Sequence, residues 1–282
     1  MPRASRSPSA RSPPCARRPR RSSRSPTSAC SSRCSPLEAH RARPAHRDRL
    51  GHARQPRRLR GGARRRERGA DAVWCGGDLV GKGPRGRAVV ELAREACDVV
   101  VRGNWDEAVA DPSAAPWSAP EWYRDEVGPE GVAWLGALPF HHDAQLAGHR
   151  VRLFHASSTS VHHRVRWGAD DATFDAMFRA TDATGPVGDA DVVVYGDLHD
   201  QWLDVRRGRR LLNTGSAGNA LDGDPTAAYV LLDDDGPGRL TVRFVRVPYD
   251  VDAEIDVARD MRSPFLEHWI EELRTGQYQR RI

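Results

Sequence analysis

The chain is nearly without lysine: Lys82 stands alone against 43 arginines in 282 residues. So one-sided a choice reflects a gene rich in G and C more than any function. Acidic residues are scarce in one region only. Residues 1–69 hold 21 Arg and three acids (Glu38, Asp48, Glu67), a net charge of +18, while the whole chain carries +6, which leaves −12 for the remainder. The basic pI of about 9.4 therefore belongs to the amino-terminal stretch, and the rest is an acidic globule. That stretch also has few large apolar side chains with which to offset chain entropy, so residues 1–69 are expected to be a disordered extension. An arginine-rich arm can dock on nucleic-acid phosphates; the plainer reading is an unpacked tail, and nucleic acid is not the expected partner.

Five cysteines (Cys15, Cys30, Cys34, Cys75, Cys97) form no Cys-x-x-Cys pair, which argues against a disulfide framework and a cysteine zinc site and for a reducing, cytoplasmic setting. No apolar run approaches the roughly 18 residues of a membrane span, so no membrane partner is expected. The Arg/Ser-rich start has neither an apolar segment nor an amphipathic stripe, which disfavours secretion.

From Ala70 onward the texture is that of a globular α/β protein, read as one domain over residues 70–282. Strands are expected at Ala72–Gly76, Asp98–Arg102, Asp191–Tyr195, Gln201–Val205, Arg210–Leu212, Ala228–Leu232 and Leu240–Val247, and a hairpin with Ala147-Gly148 at its turn. Helices are expected at Arg87–Cys97, around Pro129–Leu138, at Asp170–Thr181 with Asp171 as cap, and from Val251 and Pro264, with a Pro/Trp-rich connection over Asp111–Tyr123. Strands and helices first, then hairpins, suggest two mixed sheets face to face with helices outside.

Four loops follow β-branched apolar runs: CGGDLVGKGP (Cys75–Pro84), VVVRGNWDE (Val99–Glu107), RLFHASS (Arg152–Ser158) and VVVYGDLHDQW (Val192–Trp202). Each sets Asp, Asn or His just past a strand, where an α/β sheet delivers side chains to a common mouth. Singly, Asp78 and Asn104 beside glycines read equally well as turn residues, and His155 as a core histidine. In series their oxygen and imidazole donors are hard to explain as packing.

The loops resemble the calcineurin-like metallophosphoesterases, in the small bacterial and archaeal phosphodiesterase branch. LLNTGSAGNALDGDPTAAYVLL (Leu211–Leu232) looks like that branch's Asn-x-Gly-Ser loop and following strand. The resemblance implies a four-layer α/β/β/α sandwich and two divalent metal ions (Mn, Fe, Mg, Ni or Zn) that activate water against a phosphate ester. It makes Asp78 the carboxylate shared by both metals, Asn104 and His155 ligands of the second, His199 a ligand of the first, and Asp106 the acid supporting the neighbouring catalytic group; Asp78, Asn104 and Asp106 thus form the implied catalytic set. A small phosphate ester is the implied substrate, acted on by a phosphodiesterase or phosphatase, and a homo-oligomer is compatible with the sequence. The alternative is an impaired member of the family that binds a phosphorylated ligand without turnover.

Three departures mark this chain. Asp197 stands where the last motif has its first histidine; a carboxylate there still coordinates and tilts preference toward Mn, Fe or Mg over zinc. Trp105 stands where many relatives keep a proton-donating histidine. The opening Asp-x-His is absent from residues 1–77. Codons that permit LGHARQP (Leu50–Pro56) also permit Ser-Asp-Thr-His-Gly-Asn one base forward, so a frame error over residues 45–69 would account for the loss of a first strand and helix. His162, His163, Arg164 and Arg166, just after the His155 loop, are read as a charged surface loop that could alternatively grip a phosphate. His141, His142 and His149 are read as solvated, and Trp117, Trp122, Trp134, Trp167 and Trp202 as packing residues.

Overall fold

The computed structural model describes residues 70–117 and 119–279; the arginine-rich extension and the displaced opening motif of the sequence reading lie outside them. Among the described residues nine strands and six helices follow in order. They are β1 (Trp74–Cys75), α1 (Gly86–Ala96), β2 (Val99–Val100), α2 (Asn104–Ala110), α3 (Glu121–Gly136), β3 (His141–Leu146), β4 (His149–Phe154) and α4 (Asp171–Ala176). The second half comprises β5 (Val192–Tyr195), β6 (Gln201–Arg206), β7 (Arg209–Thr214), β8 (Ala227–Asp234), β9 (Leu240–Val247), α5 (Val251–Asp260) and α6 (Leu266–Thr275). Strands β1 and β2 pair in parallel, β3-β4-β5-β7-β6 form a mixed sheet, and β8 and β9 an antiparallel ribbon.

The period-two alternation of the central strands decides which layer each side chain enters. Val151 and Leu153 of β4, Val192 and Val194 of β5 and Leu212 of β7 share one cluster with Trp74, Val99 and Val101, and with Val230, Leu232 and Val242 of the ribbon. The alternate residues Phe154, Val193, Tyr195 and Leu211 face the other way, onto Phe174, Met177 and Phe178 in and after α4. A third cluster packs Val90 and Ala93 of α1 and Val127 and Leu135 of α3 behind β1 and β2. Helix, sheet, sheet, helix is the resulting order, the α/β sandwich expected from the sequence. Each buried aliphatic side chain contributes roughly 1.5–3 kcal/mol toward holding these layers together.

Several local expectations need correction. Strands β1 and β2 are two residues each, shorter than their apolar runs, because the chain turns away into the Asp78 and Asn104 loops. The cap of α4 is Asp170, whose carboxylate accepts the Thr173 N–H at 2.7 Å; Asp171 is the first helical residue, and the helix ends at Ala176 instead of running on to Thr181. The segment read as connection up to Tyr123 is helical from Glu121, and the Pro129 stretch continues it across a break at Gly128 (φ 79°). His141, His142 and His149 sit half-buried in the β3–β4 hairpin, and burial lowers the His141 pKa. Trp167 is exposed, unlike the other tryptophans of that group.

Candidate metal centre

The four loops leave the carboxyl ends of β1, β2, β4 and β5, and the first two meet backbone to backbone. Gly77 adopts φ 88°, and a Cβ on it would lie 2.5 Å from the Gly103 nitrogen; a Cβ on Gly103 would fall on the Asp78 carboxylate. Glycine at both positions is what allows the approach. Asp106 then ties the loops together. Its carboxylate accepts the N–H groups of Asp78 (2.8 Å), Leu79 (2.9 Å) and Gly103 (2.9 Å), and its side chain is fully buried. Burial raises its pKa against the lowering by those donors. In this geometry Asp106 positions the loops: both of its oxygens are spent on backbone.

Asp78 holds a left-handed backbone (φ 56°), sparsely populated for a non-glycine residue, which aims its carboxylate into the mouth. One oxygen, Oδ1, accepts the Trp105 N–H at 2.9 Å. His155, almost wholly buried at the end of β4, has Nδ1 at 2.8 Å from the Gly76 carbonyl. A carbonyl only accepts, so Nδ1 carries the proton, and in the neutral ring Nε2 is a bare lone pair. That Nε2 is buried without a hydrogen-bond partner and lies 3.5 Å from both Asp78 Oδ1 and Asp197 Oδ1. Asn104, the first residue of α2, gives its side-chain N–H to Asp197 Oδ1 at 2.9 Å, and Arg164 Nε gives its own to Asp197 Oδ2 at 2.9 Å.

The structure thus brings Asp78, Asn104, His155 and Asp197 into one cluster. His199 lies near enough to act electrostatically on Asp197. Its Nδ1 donates to the Asn219 carbonyl at 2.5 Å, so its Nε2 is likewise the free nitrogen, yet none of its hydrogen bonds reaches the other four. Behind it, Asn219 donates to Glu272 Oε2 (2.8 Å), and Glu272 pairs with Lys82 (2.8 Å). Glu272 entered no motif and Lys82 had no role in the loop that carries it; only its being the lone lysine could have drawn attention to the pair.

The charge states describe a site short of positive charge. Burial pushes the Asp78 carboxyl up to about 7, with Asp106 and Asp197 adding to it and His155 opposing. Burial alone would lower His155, but Asp78 and Asp197 outweigh it and raise the ring to about 9. Burial also penalises a charged Asp197, yet His155 and Arg164 hold its carboxyl below the usual range. His199 is driven down to about 4 by burial and the nearby Lys82, and is neutral near pH 7. A divalent cation between Nε2 of His155 and the two Oδ1 atoms would take the place of the proton these carboxylates draw onto the ring. The donor set fits such an ion: two carboxylates, an amide and an imidazole fixed in the right tautomer by a carbonyl behind it. Among the described residues no three His, Cys, Asp or Glu side chains are already closed to metal-holding distances. The Asp197 oxygens are turned to Asn104 and Arg164.

Trp105 is packed edge-on against Trp117, Tyr123 and Phe265, with ring centroids 4.5, 5.5 and 6.3 Å away. Position 105, where the resemblance implied a missing proton donor, is therefore the rim of an aromatic core. The Asn213–Ser216 loop is structural in its contacts: Asn213 accepts the Gly215 N–H and Ser216 Oγ those of Gly218 and Asn219.

Residues 48–235 match the model of the calcineurin-like phosphoesterase superfamily domain. The chain belongs to that superfamily, which supports a metal-dependent phosphoester hydrolase in general. The match starts inside the arginine-rich stretch, ahead of Ala70. Among curated proteins, uncharacterized protein MJ0912 of Methanocaldococcus jannaschii is 26% identical over 213 residues, 66% of this chain and 79% of that one. Among solved structures, a metallophosphoesterase from Sphaerobacter thermophilus is similar in fold (TM-score 0.61, 24% identity, covering 78% of this chain and 95% of that one). So is a hypothetical protein, PH1004, from Pyrococcus horikoshii OT3 (TM-score 0.63, 18% identity, 80% and 96%). Among the described residues no helix is long and apolar enough to cross a membrane.

Proposed function

We propose that this chain hydrolyses a small phosphate ester, as a phosphodiesterase or phosphatase, at a two-cation centre of which Asp78, Asn104, His155 and Asp197 hold one ion and Asp78 and His199 contribute to the other. The observation that carries this reading is His155 Nε2, buried without a hydrogen-bond partner and faced at 3.5 Å by two carboxylate oxygens, while the Gly76 carbonyl holds the other ring nitrogen. A buried polar atom left unsatisfied costs about 1–3 kcal/mol, a cost a bound ligand removes. When bound, the cations supply Lewis-acid polarisation of the phosphoryl group and a lowered pKa for water. Mn or Fe suits the oxygen-rich donor set better than zinc. The protein's own part is to fix the ligands: Asp106 clamps the two glycine loops, and the Gly76 and Asn219 carbonyls set the histidine tautomers.

A second reading, binding of a phosphorylated ligand without turnover, is favoured by Trp105, since no side chain at that position can protonate a leaving group. Hydrolysis of bis(p-nitrophenyl) phosphate and p-nitrophenyl phosphate with added Mn²⁺, alongside metal analysis, separates the two. Turnover that disappears in Asp78→Asn together with bound metal supports the enzyme; metal binding with no turnover of either ester supports the binder. The His199 half holds two of its implied ligands, so the chain as given is expected to bind about one equivalent tightly. The one-base-forward reading of residues 45–69 should add a second equivalent and raise the rate, and an unchanged stoichiometry would discard the frame explanation.

A further inference from the structure

Between β4 and α4 the chain runs through an arginine- and histidine-rich loop that is held down on both sides of the centre. His162 Nε2 lies 2.7 Å from Glu107 Oε2 on α2, and two residues on, Arg164 Nε donates to Asp197 Oδ2 at 2.9 Å. The intervening backbone is also fixed. Val161 and Val165 are buried, and the Val165 carbonyl accepts the Tyr195 hydroxyl.

Arg164 joins two environments. Its partner Asp197 is nearly sealed, with a side chain 2% exposed, while the Arg164 side chain is 47% exposed. Only Nε is engaged; the two terminal nitrogens have no hydrogen-bond partner among the described residues. The guanidinium is thus anchored to a carboxylate of the Asp78–His155–Asp197 cluster through Nε, with its two terminal nitrogens left for another ligand.

We propose that Arg164 binds the phosphoryl oxygens of the substrate, a specificity device built on the exchange of histidine for Asp197. An imidazole at position 197 would present a single donor toward the centre. A carboxylate has two oxygens, and here they are divided: Oδ1 faces His155 and Asn104, and Oδ2 holds Arg164. The planar guanidinium fork matches a tetrahedral phosphate edge, and its charge offsets the repulsion that three buried carboxylates exert on an arriving anion. The ligand class is a phosphate monoester dianion or a diester phosphoryl group. This inference rests on the phosphohydrolase reading for its substrate, but not for its binding test.

The experiment measures inorganic phosphate binding to the Mn²⁺-supplemented full chain by calorimetry, with bound manganese quantified, in the wild type, Arg164→Ala and Arg164→Lys. The expected result is phosphate affinity about tenfold or more weaker in Arg164→Ala, as for a lost charge-assisted hydrogen bond, with manganese content unchanged and Arg164→Lys in between. On bis(p-nitrophenyl) phosphate the same loss should appear in KM more than in kcat. Phosphate affinity within twofold of wild type would overturn the proposal. So would a loss that tracks missing manganese, since Arg164 would then only anchor Asp197. A wild type that hydrolyses the ester yet binds phosphate equally well without Arg164 sinks this inference alone. Phosphate bound through Arg164 with no hydrolysis of any ester supports it and sinks the enzymatic reading instead.

Discussion

Three residues apart on and just past β4, Arg152 and His155 are both buried and both surrounded by polar groups, but their accounts close differently. Arg152 is fully buried, and its guanidinium is satisfied throughout: Nε and Nη2 grip Asp143 at 2.7 and 2.8 Å, Nη2 reaches the Gly188 carbonyl at 2.7 Å, and Nη1 reaches those of Phe178 and Arg179 at 3.5 and 3.3 Å. His155 has one nitrogen committed to Gly76 and the other facing two carboxylates with no hydrogen bond. A structural cluster completes itself from the protein, whereas the His155 cluster is left for something else to complete. Burial alone does not distinguish the two; the unsatisfied Nε2 does.

The largest separation between them should appear in catalysis. His155→Ala is expected to lower the rate of ester hydrolysis by about a thousandfold or more, roughly 4 kcal/mol of transition-state stabilisation, and to release the bound cation. Retained metal and rate would remove His155 from the centre. Asp143→Ala should leave the rate per folded molecule near wild type and act on stability instead. Stripping the carboxylate from a buried arginine costs about 3–5 kcal/mol, read by denaturant unfolding in EDTA. A cost below about 1 kcal/mol would mean that solvent reaches Arg152 after all.

Manganese titration crosses the two variants. At a hundredfold excess over its dissociation constant a ligand stabilises by about 2.7 kcal/mol, which for a chain of this size raises Tm by roughly 5–10 °C. Asp143→Ala should start lower and keep that rise, and His155→Ala should lose it. A rise lost in both would show that the two clusters are coupled along β4. The smallest expected effect is with pH. Partial burial penalises a charged Asp143, but the Arg152 partner outweighs it and holds the carboxyl below its ordinary value. Its contribution to stability is therefore fully present above the unfolded value of about 4 and lost as pH falls through the lower folded value. The wild type should lose stability more steeply than Asp143→Ala below about pH 4, and parallel acid profiles would contradict the pair's role.

Much of this was legible in the residues because the relevant signals are local. Apolar runs, continuous in β5 and alternating in β4 and β9, mark the strands, and the ribbon strand Leu240–Val247 has the extent its pattern suggests. The Gly-Gly-Asp and Gly-Asn pairs mark chain reversals past strands. Less legible were the features set by partners distant in sequence. Asp106 resembles any acid in the first turn of a helix, and only the folded chain places the backbone N–H groups of Asp78 and Leu79 on it. Trp105 reads as a missing acid; only packing shows it committed to an aromatic cluster drawn from α3 and the segment before α6. Glu272, at the far end of the chain, has no sequence signal connecting it to Asn219 or Lys82.

By itself the sequence determined the layer order and the chemical types at the mouth, because side-chain period and donor type are properties of neighbouring residues. Tertiary structure alone decided the state of each donor: which histidine nitrogen is bare, which Asp197 oxygen faces the centre and which holds Arg164. Those states depend on carbonyls and charges that reach the site from remote parts of the chain, and in a dry interior it is such neighbours, not residue identity, that set the position of each proton.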